Sequence, residues 1–168
     1  ACLLSIIRLH SGNQSIEKLR EISGTTKQGT TILGLYQAAN KLGFTAEGCE
    51  ANLKALIDYK QPVILHVIVD NQLQHYIICY KYDENKGFLI GDPAKGLYNL
   101  SIEELETIWI SKTCLTLEPN ENFITEETDK KAQLKWFLEL LKDDYKLICI
   151  SVLLGVFILF LSALIFNN

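Results

Sequence analysis

Residues 62–92 read PVILHVIVDNQLQHYIICYKYDENKGFLIGD. Pro62 to Val69 and Gln74 to Tyr82 are rich in Val, Ile and Tyr, and the turn residues Asp70-Asn71 lie between them, the pattern of two strands joined by a short connection. Asp83-Glu84-Asn85-Lys86 makes a second turn and Gly87 to Ile90 a third strand. Short connections impose antiparallel neighbours. If the second and third strands pair through the intervening turn, residues whose numbers sum to about 167 to 170 face each other, which brings His75 and Asp92 together at the open end of the hairpin. A carboxylate beside an imidazole fixes its tautomer and stabilises the imidazolium, as acid–base catalysis requires. Asp92-Pro93-Ala94-Lys95-Gly96 also fits a plain turn, with His75 a surface histidine. Spacing alone leaves both readings open.

The segments before this hairpin are helical. From Ala1 to Leu9 the apolar pattern has helical period, and Ser11-Gly12-Asn13 ends it. Ser15 can cap a short helix through Glu21. Thr30 or Thr31 can cap another from Ile32 to Leu42, where Leu33, Tyr36, Ala39 and Leu42 share a face and Gly43 supplies a left-handed stop. After the hairpin, Ser101 and Glu104 form the capping box of a helix reaching Trp109, and Thr113 to Leu117 returns as a strand. Helices first and an antiparallel sheet after them give an α+β domain of two lobes.

Farther out, Pro119 to about Asp129 is polar and acidic and reads as a linker. Gln133 to Leu141 carries Leu134, Trp136, Phe137, Leu140 and Leu141 among lysines, which suits a helix lying at a membrane surface, with Trp136 as its interface anchor. Residues 147–166, LICISVLLGVFILFLSALIF, hold no charge and are long enough to cross a ~30 Å hydrocarbon layer. This run is expected to be a transmembrane helix. It dominates the positive mean hydropathy of +0.13, and it lies at the wrong end of the chain for a signal peptide. Lys130, Lys131, Lys135, Lys142 and Lys146 precede it and favour the cytoplasmic side for the domain before them.

An apolar content of 48% with 21% charged residues belongs to a folded protein rather than a disordered tail. The net charge of -4 and the lack of a basic stripe argue against nucleic acid as a partner. The 5 cysteines, Cys2, Cys49, Cys79, Cys114 and Cys149, form no CxxC pair and suit reduced thiols. HExxH, Walker and dinucleotide motifs are missing; Gly24 to Gly34 lacks the Lys-Ser/Thr that a phosphate loop requires. Cys2 is the local candidate for a nucleophile to serve His75 and Asp92, yet its place in an apolar helical repeat also fits a small buried hydrophobe. His66, in the most apolar strand, reads as a satisfied core histidine, and His10 closes the first helix. The chain enters that helix directly at Ala1, so the helix is expected to start upstream.

ACLLSII, SIEKLREISGTTKQGTTILGLYQAANKLGFTAEG, PVILHV, QHYIICY, IGDPAKGLYNLSIEELETIW and LxLEPNxxF, in this order, resemble the double-glycine leader peptidase domain of bacteriocin and peptide ABC transporters. The resemblance covers roughly Ala1 to Phe123. It implies a papain-like cysteine peptidase fold, a helical lobe plus an antiparallel sheet, that cleaves a leader peptide after Gly-Gly before the transporter exports the cargo. Position by position it makes His75 the general base and Asp92 its orienting carboxylate. The family's nucleophilic cysteine, in a D-C-G segment, and an oxyanion-hole glutamine both fall upstream of Ala1, so residues 1–168 alone are expected to be inert. The organisation that follows is a leader peptidase domain over 1–123, a linker and amphipathic membrane-surface helix over 124–145, and the first transmembrane helix over 146–168. The resemblance further implies a leader-bearing precursor peptide and the lipid bilayer as partners, a homodimer, and a place in the bacterial inner membrane with the peptidase domain on the cytoplasmic side. ATP and Mg²⁺ are expected in a nucleotide-binding domain outside this sequence, and no cofactor within it. Two alternatives remain: a non-proteolytic cargo-docking domain of a type 1 secretion transporter, and a membrane-anchored peptidase without a transporter.

Overall fold

Local capping signals start each of the early helices after the first. The structure, a computed structural model, describes residues 1–69, 73–142 and 153–155. α1 (Cys2–Leu9) is followed by α2 (Ile16–Ile22), whose N-cap Ser15 accepts a hydrogen bond from the Lys18 N–H at 3.1 Å. α3 (Ile32–Lys41) is capped by Thr31, which accepts from the Gly34 N–H at 3.0 Å. Gly43 ends it at φ +84°, a conformation that only glycine adopts cheaply. A Cβ there would also run into the backbone of Asn122 and Phe123, so the residue both turns the chain and lets the end of the domain cross it.

Six strands form one antiparallel sheet in the order β1-β6-β2-β3-β4-β5. They are β1 (Phe44–Glu50), β2 (Val63–Val69), β3 (Leu73–Asp83), β4 (Gly87–Asp92), β5 (Gly96–Leu100) and β6 (Thr113–Pro119). The expected turn at Asp70-Asn71 lies outside the described residues. Two short helices interrupt the strands: α4 (Leu53–Asp58), and α5 (Ile102–Ile108) with the expected capping box between Ser101 and Glu104. β1, α4 and β5 were not among the sequence expectations. β1 reads FTAEGCE, a poor strand by composition; it forms because its whole length pairs with β6, from Phe44 opposite Pro119 to Glu50 opposite Thr113.

Alternation along the strands divides the core into two layers. On one face Phe44, Ile64, Ile78 and Leu115 pack against Leu3, Ile6, Ile7 and Ala38 of the first three helices. On the other, Leu65, Ile77, Phe88 and Ile90 meet Leu56, Leu105 and Trp109. The helical lobe expected beside the sheet is thus α1 to α3 lying on one face, while α4 and α5 close the other. Trp109 is wholly buried and its indole N–H donates to the Thr113 carbonyl at 3.0 Å.

Residues Ala1–Glu126 form one compact unit and Glu127–Asn168 a second. α6 (Glu126–Leu141) begins inside the stretch read as linker, and its Leu134, Trp136, Phe137 and Leu138 are exposed. The run read as a transmembrane helix lies outside the described residues except for 153–155, which are helical. Among the described residues no helix is long and apolar enough to cross a membrane.

Two substitutions separate the levels at which this fold is held. Trp109→Ala is expected to lower stability by about 3–5 kcal/mol, the cost of emptying a large buried site. Ser101→Ala, which removes only a cap, should cost about 1 kcal/mol. Urea midpoints of the two variants against wild type measure both.

Candidate active site

β3 and β4 pair from Asp83 opposite Gly87 to Ile78 opposite Gly91, with a register shift at Tyr80, between Cys79 and Lys81. One step beyond the last pair, Asp92 comes level with Ile77, and His75 stands two residues along on the same face, a diagonal cross-strand neighbour. The side chains meet: His75 Nε2 donates to Asp92 Oδ1 at 2.8 Å. The imidazole is 25% exposed and the carboxylate 3%. Both residues singled out in the sequence are therefore brought together. A carboxylate can only accept, so Nε2 carries the proton and Nδ1 is left as the basic nitrogen.

Asp92 has two further donors. The Ala94 N–H reaches Oδ1 at 2.7 Å and the Tyr98 hydroxyl donates to Oδ2 at 3.3 Å. The aspartate that begins the turn is also the one beside the imidazole, because one oxygen accepts from the turn amide and from His75 together. Burial alone would push this carboxyl up; the hydrogen bonds from His75 and Ala94, the charge that His75 can carry and the Tyr98 hydroxyl outweigh it and hold Asp92 below the usual carboxylate value.

The start of α1 opens onto the same place. Ala1, Cys2, Tyr80, Gly91, Asp92 and Leu97 line a cavity of about 200 Å³. Gly91 lacks a side chain where the Tyr80 ring lies; a Cβ would meet it at 2.6 Å. Cys2 donates its S–H to the Tyr76 carbonyl at 3.2 Å and is 5% exposed. Burial pushes its thiol up to about 11, which leaves almost no thiolate at neutral pH. Cys2 is a core residue and an unfit nucleophile.

The other two histidines differ in interest. His10, half-buried at the end of α1, lies edge-on to Phe44 and Phe123. His66 Nδ1 pairs with Ser111 Oγ at 3.1 Å, and that hydroxyl donates to the His66 carbonyl at 2.8 Å. It is satisfied, as expected, yet it lines a second cavity, of about 570 Å³, together with His75, Gln74 and Thr30. Sequence reasoning missed this placement. The β2–β3 register could not have shown it: it sets His66 opposite Tyr76, whose ring lies 5.4 Å away, and alternation assigns His75 to the other face. The roles of Ala94 and Tyr98 were missed as well.

A model of the peptidase C39 family matches residues 1–122. The chain belongs to this family of cysteine peptidases. Among curated relatives, it is 34% identical over 111 residues to the lactococcin-G-processing and transport ATP-binding protein LagD of Lactococcus lactis, covering 65% of this chain and 16% of the relative. It is 29% identical over 146 residues to the transport/processing ATP-binding protein ComA of Streptococcus pneumoniae, covering 84% of this chain and 20% of the relative. The chain thus spans a fifth or less of either relative. Among solved structures, the peptidase domain of Streptococcus ComA, described as a bi-functional ABC transporter in a quorum sensing pathway, superposes with a TM-score of 0.64 at 38% identity, covering 70% of this chain and 88% of that one. A double glycine motif protease from an AMS/PCAT transporter, solved with its leader peptide, shares the fold with a TM-score of 0.62 at 23% identity, over 70% of this chain and 81% of that one. The C39 peptidase fold, papain-like with an antiparallel sheet and flanking helices, is that of this domain.

The lowered titration of Asp92 has a defined consequence for stability. A carboxyl held below its unfolded value stabilises the fold fully above that value and loses the effect as pH falls through the folded one. The stability margin of wild type over Asp92→Asn should therefore be constant near neutral pH and shrink only below about 3.8, the ordinary Asp value. Denaturation curves across that range read it; a margin that does not change on acidification would contradict an ionised, hydrogen-bonded Asp92.

Proposed function

We propose that this chain is the peptidase region of an ABC transporter that cleaves a leader peptide after a Gly-Gly pair and exports the remainder. The observation that carries the reading is the 2.8 Å hydrogen bond from His75 Nε2 to Asp92 in a C39 domain, with the start of α1 on the cavity that Asp92 borders. A cysteine just upstream of Ala1 would enter from that side. The family resemblance expects the nucleophile there.

In this reading His75 Nδ1 takes the proton of the upstream thiol, and the imidazolium that forms is stabilised by Asp92. The thiolate adds to the carbonyl of the second glycine, the C–N bond breaks, and His75 returns the proton to the leaving amine. Water, deprotonated by the same nitrogen, then hydrolyses the thioester and frees the leader. Glycines suit the step because a side chain at either position would crowd the approach to the sulfur. Asp92 moves no proton. It fixes which nitrogen is basic.

The likeness to processing and transport ATP-binding proteins supports membrane association for the whole protein. The leader-bearing precursor would be its substrate, the bilayer and a second copy its partners, and ATP with Mg²⁺ the ligands of a nucleotide-binding domain outside this chain. The domain would face the cytoplasm, the side that the lysines before residue 147 favour.

The deciding experiment is cleavage of a double-glycine leader peptide by the protein extended upstream to its cysteine, followed by mass spectrometry. Cleavage after Gly-Gly is expected. His75→Ala should lower kcat/KM by about 10²–10⁴-fold, the usual worth of a general base. Leader binding without cleavage would sink the reading in favour of a docking domain.

A further inference from the structure

We propose that Tyr98 is a positioning residue for the His75–Asp92 pair: its hydroxyl holds the second oxygen of the carboxylate, so that the first stays aimed at the imidazole. The inference rests on the peptidase reading of that pair. Both of the short hydrogen bonds to Asp92, from His75 Nε2 at 2.8 Å and from the Ala94 N–H at 2.7 Å, fall on Oδ1. The terminal torsion of an aspartate is soft and nearly two-fold, so two donors on one oxygen do not by themselves fix the plane of the group. The Tyr98 hydroxyl supplies the bond to Oδ2, at 3.3 Å, and a planar carboxylate held at both oxygens cannot rotate without losing one.

The placement follows from strand register. β4 and β5 pair with Asp92 opposite Gly96 and Ile90 opposite Tyr98, so Tyr98 is the diagonal neighbour of Asp92 on one face. Gly96 brings no side chain of its own to that spot. The Tyr98 ring packs, partly buried, against the cluster that holds Phe88, Ile90 and Leu105, which fixes the hydroxyl while leaving it in reach of Oδ2. Against a carboxylate it must be the donor, and burial together with the Asp92 charge pushes the phenol up, so it keeps its proton throughout the neutral range.

A plain core tyrosine whose hydroxyl borrows the nearest acceptor would look similar, and the test separates the two. It uses nitrogen NMR of the His75 ring in the 168-residue chain in detergent, with the imidazole neutral. Wild type should show a protonated Nε2 and a bare Nδ1. In Tyr98→Phe, which keeps the packed ring, the two signals should move toward each other as the tautomers mix; an unchanged spectrum would overturn the proposal. In an Asp92→Asn background Tyr98→Phe should change nothing further, and an equal change there would show that Tyr98 does not act through Asp92. In the cysteine-bearing protein Tyr98→Phe should lower kcat about tenfold, as losing a hydrogen bond to a charged group does, and leave KM within about twofold. A raised KM at constant kcat would make Tyr98 a substrate contact and also overturn it. Absence of any cleavage would count against the peptidase reading, while the NMR result would still decide the role of Tyr98.

Discussion

The pairing of β3 with β4 is the constraint on which the site depends. Because side chains alternate, a slip of one residue would send His75 or Asp92 to the opposite face. The register shift at Tyr80 is compatible with function because it lies inside the hairpin, between the turn and the site, and both residues sit on the same side of it. Bulges of this kind locally increase twist and re-aim side chains. Here the Tyr80 ring is turned over Gly91 and onto the cavity beside Asp92. The hairpin is held in turn from both faces, with Ile78 in the layer under the first three helices and Ile77, Phe88 and Ile90 in the layer under α5.

A carboxylate as buried as Asp92 is costly unless hydrogen bonds replace the lost water. Three donors do so, from three different pieces of chain: a β3 side chain, a turn amide and a β5 side chain. The turn amide costs the protein nothing extra, since an aspartate that begins a turn bonds the backbone two residues on in any case. The sequence Asp-Pro-Ala therefore ties one oxygen of the carboxylate to the local turn, strand pairing delivers His75 to that same oxygen, and the second oxygen is left for Tyr98. This is why the same residues could be read as a turn or as a site: the first is the scaffold of the second.

Much of this was legible in the residues, and the exceptions share a cause. The caps at Ser15, Thr31 and Ser101, the strands rich in Val, Ile and Tyr, and the nearness of His75 to Asp92 rest on local signals, and all are found in the structure. What was missed depends on partners distant in sequence. β1 carries a glycine and two glutamates and becomes a strand only because β6 lies beside it. β5 follows a segment read as a simple turn, so Tyr98 had no strand to stand on and no register to aim it at Asp92. His66 was read correctly as satisfied, but that it lines the same cavity as His75 depends on how the β2–β3 pair meets the Thr26 to Thr31 loop.

Cys2 shows why position within a helix outweighs residue type. Its thiol borders the cavity beside Asp92, yet it is 5% exposed and turned against the Tyr76 carbonyl, where burial penalises charge. A cysteine placed before Ala1 would occupy the beginning of the helix instead, where unpaired N–H groups and the positive end of the helix dipole favour a thiolate. Under the proposed peptidase reading, burial would keep Cys2 protonated while the helix start favoured the upstream thiolate, so the two would not compete for His75.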